Sequence, residues 1–322
     1  MKRCTLGIVF LIAAAFPGHA QPDAGYPNKP VRIIVPFPAG SATDSVSRVV
    51  AQKLSSRLGQ PFVVENRPGA SGSLGSDQVA KATSDGYTLG LITGSTHAVA
   101  PALGKLPYDP VNDFKPVSMI GSTSYVLVAQ SGLDAKDAAG LVALAKAKPG
   151  GLTYGSAGLA SMAHLAAVLF ATQSGIELAH VPYRSSGQSV IDLMTGRLDV
   201  QFASIAPTLE SIRDGKVRAL ATTGTERARA LPQVPTMKES GFPEYDVQLW
   251  LAYVFPAKTP DMAVAIINRA LGTILAERET IDVLQQQGFE PRPTGPEAVT
   301  EQIRTEGERW RTLVAKTGIK AE

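Results

Sequence analysis

A short apolar run, followed directly by a loop of small residues and an amphipathic helix, sets what this chain can fold into. The run 31–35 is rich in β-branched residues, which is typical of a buried strand in a parallel sheet. Pro38 and Gly40 interrupt the pattern, and after Asp44 apolar residues recur at helical spacing through Leu58. A strand, loop and helix of this kind predict an α/β fold whose ligands bind beyond the carboxyl ends of the strands.

The same unit recurs in two blocks of the sequence. The first block carries further predicted strands at 62–65 and 87–92, and the second carries them at 152–154, 177–182, 198–203 and 217–223. The apolar stretches 116–129 and 217–223 join the blocks, and the strand 247–255 returns the chain to the first. Two similar halves joined by two crossings predict two domains with a cleft between them, 25–123 with 222–322 and 124–221.

The first twenty residues have the pattern of a secretory signal peptide. Lys2 and Arg3 precede a short apolar run, and Ala20 before Gln21 fits the small residue of a cleavage site. No later stretch reaches the roughly 18 apolar residues that a membrane span needs. We therefore expect residues 1–20 to be removed and the mature chain to be secreted and soluble.

Composition excludes several kinds of function. Cys4 is the single cysteine of the chain and leaves with the signal peptide, so we expect no disulfide, no thiolate nucleophile and no cysteine-bound metal. Without Lys2 and Arg3 the 31 basic residues become 29 against 28 acidic ones, a net charge of +1. Such a chain offers no broad electrostatic field for nucleic acid or a membrane surface. Function must come from a local site.

Loops at the carboxyl ends of the predicted strands supply the candidate ligand-binding residues. A helix start leaves its first N–H groups without partners and carries the positive end of the helix dipole, which suits an anion. The candidates are Phe37, Ala39, Gly40, Ser41, Ala42, Thr43, Thr93 and Ser95 in the first block, and Ser156, Ala157, Gly158, Ser161, Arg184 and Ser204 in the second. Arg184 is either a bidentate carboxylate ligand or a solvated residue at a strand end.

Other chemistries have weaker support in the sequence. A serine hydrolase built from Ser156 or Ser161 with His164 is one alternative, because Ser161 and His164 share a helix face, but the pattern indicates no acid to complete it. His97, His164 and His180 are too far apart in sequence to predict a metal site by local spacing. We predict no enzyme activity, no cofactor and no metal.

Seven stretches that run in order along the chain resemble one known family. They are 26–37 (YPNKPVRIIVPF), 43–44 (TD), 65–70 (ENRPGA), 85–89 (DGYTL), 154–158 (YGSAG), 180–184 (HVPYR) and 234–236 (VPT). With these the chain resembles the Bug-type periplasmic substrate-binding proteins of tripartite tricarboxylate transporters. The resemblance implies a monomeric, two-domain Venus flytrap of the type II periplasmic-binding-protein fold with two crossing hinge strands. It also implies a small carboxylate ligand and integral-membrane permease subunits as partners.

By the same resemblance, the loops 37–43 and 156–161 hold the ligand carboxylate from opposite lobes, largely through main-chain groups. Where the family usually has two glycines this chain has Gly40 and Ser41, and Ala203 stands where an aspartate is common, which argues against an amino-acid ligand. Asp44 would repel an anion, so we expect it to turn to the helix start and stabilise the loop, leaving the ligand to the amides near Gly40. A sensory accessory receptor on the same fold stays open as an alternative.

Overall fold

The computed structural model describes residues 25–320, and the predicted signal peptide lies outside them. The strands are β1 (Val31–Val35), β2 (Phe62–Asn66), β3 (Thr88–Thr93), β4 (Phe114–Gln130), β5 (Thr153–Ser156), β6 (Ala179–Pro182), β7 (Val200–Ser204), β8 (Val217–Thr222), β9 (Gln248–Pro256) and β10 (Glu290–Pro291). The helices are α1 (Ala42–Leu58), α2 (Ser73–Ala80), α3 (Ala100–Leu103), α4 (Ala138–Ala147), α5 (Met162–Ser174), α6 (Ser186–Met194), α7 (Ile205–Arg213), α8 (Asp261–Ile274), α9 (Arg278–Gln286) and α10 (Pro296–Thr317). A 3₁₀ turn, Ala70–Gly72, precedes α2, and a π-helical turn, Ser95–Val99, precedes α3.

Two sheets share one long strand. The first part of β4 pairs with β9 and β10, and its second part pairs with β7 and β8. The pairing changes between Ser124, which lies opposite Gln248, and Tyr125, which lies opposite Ser204. The resulting orders are β2-β1-β3-β9-β4-β10 in sheet A and β8-β4-β7-β5-β6 in sheet B. We call the halves built on these sheets lobe A and lobe B, and β4 is the first crossing between them.

A second crossing follows β8. The Thr223 N–H donates to the Tyr125 carbonyl at 2.9 Å, and the Val247 N–H donates to the Thr223 carbonyl at 3.1 Å. Thr223 is fully buried and lies between the end of β8 in sheet B and the start of β9 in sheet A. Two crossings are confirmed and lie side by side. The stretch 217–223, expected to be the second crossing, instead pairs within sheet B as β8, and the crossing follows it.

Parallel pairing brings three loops of lobe A together. β1 pairs in parallel with β2 and with β3, so their carboxyl ends share one edge of sheet A. A Cβ added to Gly72 would lie 2.7 Å from Thr96 Cγ2 and 3.5 Å from Phe37 Cζ, which shows how closely the loops after these strands approach. The loops after β1, β2 and β3 therefore meet at this edge of sheet A. In lobe B, β5 pairs in parallel with β6 and β7 in the same way.

Helix α10 packs against residues of both lobes. Val299 and Ile303 lie in an apolar cluster with Trp250 of β9, while Trp310 and Leu313 lie in a cluster with Phe170 of α5. The helix therefore runs alongside the crossings. Among residues 25–320, no helix combines the length and the apolar character that a membrane span requires.

We predict that Gly75→Ala lowers the free energy of unfolding by about 1–3 kcal/mol, the range for forcing extra atoms into a packed interior. A Cβ at Gly75 would lie 2.8 Å from both Pro36 Cα and the Arg67 carbonyl oxygen, so backbone would have to move. Urea unfolding followed by circular dichroism measures the effect. Gly272→Ala is the matched control: nothing lies within 4 Å of its added Cβ, and in α8 it should gain about 0.5–1 kcal/mol. Equal effects of the two substitutions would contradict the close approach of α2 to β1.

Candidate ligand-binding site

In lobe A, the loop after β1 ends in a capped helix. Ser41 is the N-cap of α1, and its Oγ accepts the Asp44 N–H at 3.3 Å. Ser41 Oγ also lies 2.9 Å from Thr43 Oγ1, so one hydroxyl of the pair donates to the other and one proton remains available. The N–H groups of Ala39, Ala42 and Thr43 have no hydrogen-bond partner within residues 25–320. These N–H groups are the donors that an anion requires.

Asp44 holds this loop together. Its carboxylate is buried and accepts the Gly40 N–H at 2.9 Å, Arg48 Nε at 3.0 Å and Asn66 Nδ2 at 2.8 Å. Burial alone would raise the pKa of Asp44, but the bonds from Arg48, Gly40 and Asn66 outweigh it and lower the pKa. The prediction that Asp44 stabilises the loop is confirmed. Because Asp44 already accepts the Gly40 N–H, the amides near Gly40 that remain for a ligand are those of Ala39 and Ala42.

At the end of β3, the two predicted residues Thr93 and Ser95 differ in their exposure. Thr93 is fully buried, its N–H donates to Thr96 Oγ1 at 3.1 Å, and Thr96 Oγ1 lies 2.9 Å from His97 Nδ1. We expect Thr93 to hold the strand end rather than contact a ligand. Ser95 is partly exposed in the π-helical turn and stays a candidate. His97 is buried against Tyr108 and packs there.

In lobe B, the loop after β5 repeats the arrangement. Ser161 is the N-cap of α5; its Oγ accepts the His164 N–H at 3.4 Å and donates to the Gly158 carbonyl at 2.8 Å. Ser156 is fully buried, and its Oγ lies 2.9 Å from the Gly158 carbonyl oxygen and 2.7 Å from His180 Nε2. Both predicted serines therefore use their hydroxyl groups within the loop.

The ring of His164 closes this loop as the carboxylate of Asp44 closes the other. His164 Nδ1 accepts the Ala160 N–H at 3.0 Å, four residues earlier, just as Asp44 accepts the N–H of Gly40. Gly40 and Ala160 both have positive φ, +79° and +58°. In each loop the residue before the capping serine is thus held in a left-handed conformation by a side chain of the first helical turn. We call this arrangement the reciprocal cap.

Neutral rings support the loop of lobe B. The rings of His164 and His180 are stacked with centroids 4.4 Å apart, and Tyr154 stacks on His180 at 4.8 Å. Burial, and then the neighbouring His180, lower the pKa of His164 to about 4. Burial also lowers the pKa of His180. Both histidines are therefore uncharged at neutral pH.

The geometry does not favour the hydrolase alternative. Ser156 lies beside His180 rather than His164, it is fully buried, and within the described residues no carboxylate is hydrogen-bonded to the His180 ring. Ser161 Oγ donates to a backbone carbonyl and not to a histidine ring. A nucleophile needs both an accessible oxygen and an oriented base, and neither serine has the two together.

The remaining candidates are exposed at the ends of lobe B strands. Arg184 follows β6, and Ser204 is the N-cap of α7 without a side-chain capping bond. Ala157 and the unpredicted Leu159 are exposed in the loop after β5. Sequence reasoning also missed Asn66 and His180, which bind their partners across 22 and 24 residues. Arg48 was missed as well, although its spacing of four residues from Asp44 along a helix was a local signal.

A separate cavity lies beside the crossings. Its volume is about 700 Å³, and its lining includes Ser124 of β4, Ala206 of α7, Gly288 and Arg292. None of the predicted site residues lines it. The candidate site is therefore assigned to the two capped loops. No group of three or more potential metal-ligating side chains occurs in the part of the chain that the structure describes.

Two α/β lobes joined by two adjacent crossings define a two-domain binding protein of the type II periplasmic fold. The family model "tripartite tricarboxylate transporter family receptor" matches residues 46–319. The chain is 36% identical to the protein BugT of Bordetella pertussis over 97% of this chain and 96% of BugT. This chain belongs to the tripartite tricarboxylate transporter receptor family.

Solved structures agree with this assignment. R. palustris Rpa4515, solved with adipate, is 32% identical with a TM-score of 0.76, covering 92% of this chain and 99% of that one. MatC (Rpa3494) of Rhodopseudomonas palustris, solved with bound malate, is 31% identical with a TM-score of 0.72, covering 90% of this chain and 100% of that one. The predicted α/β two-domain fold and the resemblance to the Bug-type family are confirmed. The family is one of binding receptors and not of enzymes.

We predict that Asp44→Asn lowers the free energy of unfolding at pH 7 by about 1–3 kcal/mol, because charge-assisted hydrogen bonds are lost. The lowered pKa of Asp44 means that its contribution is complete above the unfolded pKa of about 3.9 and is lost as the pH falls through the lower pKa of the folded protein. Urea unfolding should show a larger difference at pH 7 than at pH 3. Asp282→Asn, in an exposed pair with Arg278 at the same spacing, is the matched control and should change little. Much tighter binding of a dicarboxylate by folded Asp44→Asn would instead mean that Asp44 faces the ligand.

We predict that His164 makes the protein less stable in acid. Because the pKa of His164 is lowered from 6.5 to about 4, its contribution to stability is complete above about pH 6.5 and is lost as the pH falls toward 4. The variant His164→Asn keeps an acceptor for the Ala160 N–H but does not titrate. Between pH 7 and pH 4.5, the wild type should lose about 1–2 kcal/mol more than this variant in urea unfolding. Equal losses would show that His164 does not couple protonation to the loop.

Proposed function

We propose that this protein is a periplasmic solute-binding protein that captures a small organic carboxylate between its two lobes. The observation that carries the proposal is the reciprocal cap in each lobe, at the carboxyl end of each sheet. Each cap leaves N–H groups of the loop and first helical turn without partners in the described part of the chain, including those of Ala42 and Leu159. Paired helix starts of this kind stabilise an anion without a metal or a covalent bond.

The energies are sufficient for such binding. One helix start contributes only about 0.3–1 kcal/mol, which does not support recognition by itself. A hydrogen bond to a charged group contributes roughly 1.5–3 kcal/mol, so four of them supply about 6–12 kcal/mol before entropy costs. Micromolar binding requires about 8 kcal/mol. Loops from both lobes, closing on one carboxylate, therefore account for a useful affinity.

Family membership and the neighbouring structures support the nature of the ligand and the partner. The Rpa4515 and MatC structures hold adipate and malate, both carboxylates. The family is that of a tripartite transporter receptor, so we propose integral-membrane permease subunits as the partners that receive the ligand. We propose that the protein itself is monomeric, resides in the periplasm after removal of residues 1–20, and does not turn its ligand over.

We propose the lobe limits 25–123 with 222–322 and 124–221, and closure by bending of the two crossings. The change of pairing after Ser124 supports the limit between 123 and 124. Gly288 of lobe A approaches Ala206 of lobe B, where an added Cβ would lie 3.2 Å from the Ala206 Cβ, so the lobes already touch beside the crossings. Bending at adjacent crossings changes the distance between the two capped loops more than it changes this contact.

We predict that Ala157→Asp weakens carboxylate binding at least about tenfold, because it puts a like charge into the proposed anion loop. A thermal-shift screen of carboxylic acids, followed by calorimetry on those that stabilise the wild type, gives the reference affinities. Ala139→Asp, an exposed alanine on α4 of the same lobe, is the matched control and should leave binding unchanged. Saturable binding without change of the acid supports the proposal. Chemical conversion of the ligand, or equal binding by wild type and Ala157→Asp, would overturn it.

A further inference from the structure

We propose that the ligand is a carboxylate with an apolar body, such as an aliphatic acid, rather than a hydroxylated acid. This inference rests on the proposed function and narrows the class of ligand. The sequence makes both loops look rich in hydroxyl groups, whereas the fold uses most of these groups internally.

In lobe B, no predicted hydroxyl of the loop after β5 remains free to donate. Ser161 Oγ donates to the Gly158 carbonyl and accepts the His164 N–H. Ser156 is fully buried between the Gly158 backbone and His180. In lobe A, Ser41 and Thr43 satisfy each other and keep a single free proton, which suits one oxygen of a carboxylate.

The side chains that the loops leave exposed are mostly apolar. Ala39 and Ala42 are exposed in lobe A, and Ala157 and Leu159 are exposed in lobe B. Leu159 exposes 45% of its surface. It lies between two left-handed residues, Gly158 with φ of +102° and Ala160 with φ of +58°.

The backbone holds Leu159 in this place. A positive φ is unfavourable for Ala160, and the bond from its N–H to His164 Nδ1 fixes it there. The neighbouring Gly158 is fixed by Ser156 and Ser161, which both donate to its carbonyl. The loop therefore presents Leu159 at the lobe surface through a fixed backbone and not as the tip of a mobile segment.

These features determine which ligand body the two capped loops favour. A ligand hydroxyl buried against alanine and leucine methyl groups loses its water without gaining a partner, which is unfavourable. A methylene or aromatic ring in the same place gains from leaving water together with Leu159. An ammonium group has no free carboxylate to meet in the loops, since Asp44 already accepts three donors. Arg184, exposed at the end of β6, favours a second acidic group over a basic one.

Matched acids that differ only in hydroxyl groups test the inference. We would titrate the full protein by calorimetry with adipate against glucarate, the same diacid with a hydroxyl on every inner carbon, and with hexanoate against gluconate. The expected result is that the unsubstituted acid of at least one pair binds about tenfold or more tightly than its hydroxylated partner. Preference for the hydroxylated acids would overturn this inference and leave the proposed function standing. Binding of none among these acids and the wider carboxylate panel would instead overturn the proposed function, and this inference with it.

A variant assigns the preference to Leu159. Leu159→Ser should weaken binding of the preferred apolar acid about tenfold while changing the hydroxylated acid little, so the ratio of the two affinities falls. Met262→Ser is the control: Met262 is 47% exposed in the first turn of α8, which follows β9 at the edge of sheet A opposite the capped loops. An unchanged ratio in folded Leu159→Ser, or an equal fall in Met262→Ser, would show that Leu159 does not contact the ligand body.

Discussion

The reciprocal cap is the interaction on which both halves of the candidate site depend. In each lobe a side chain of the first helical turn accepts the N–H that precedes the capping serine, and the serine accepts the N–H of that same residue. The two bonds fix a left-handed residue, Gly40 or Ala160, that directs the chain into the helix. Without them, the free N–H groups of the helix starts would have no fixed direction, and an anion would have to order them on binding.

The two caps have the same hydrogen-bond geometry, but their accepting side chains differ in charge. Asp44 brings a negative charge next to a proposed anion site, and the bond from Arg48 compensates it. His164 brings no charge, because burial and the stacked His180 keep its ring neutral. Both acceptors are lost on protonation, but the His164 cap weakens at a higher pH than the Asp44 cap. Lobe B is therefore the more acid-sensitive half of the site.

The sequence predicted the framework of the site better than its chemistry. Local patterns were enough to predict the strands, the helix starts and the turn of Asp44 toward the helix start. Helix caps and amphipathic periods are formed by neighbours in the chain. The burial of Ser156 was not predictable, since it follows from β6 pairing beside β5 and placing His180 against it, 24 residues away. Thr93 looked like a loop hydroxyl and is fully buried, because Thr96 folds back on it in a π-helical turn that its sequence does not signal.

The polar and the apolar side chains of the two capped loops have separate roles in the candidate site. The polar side chains of the loops are engaged in building the backbone, so replacing Ser161 or Asp44 disturbs the anion site itself. Ala42, Ala157 and Leu159 make no such bonds, and their side chains are exposed. In the proposed mode of binding, the main chain recognises the carboxylate group that all candidate ligands share, so discrimination between ligand bodies falls to these exposed side chains. Under the same proposal, a substitution at Leu159 alters which acid is preferred while the reciprocal caps stay as they are.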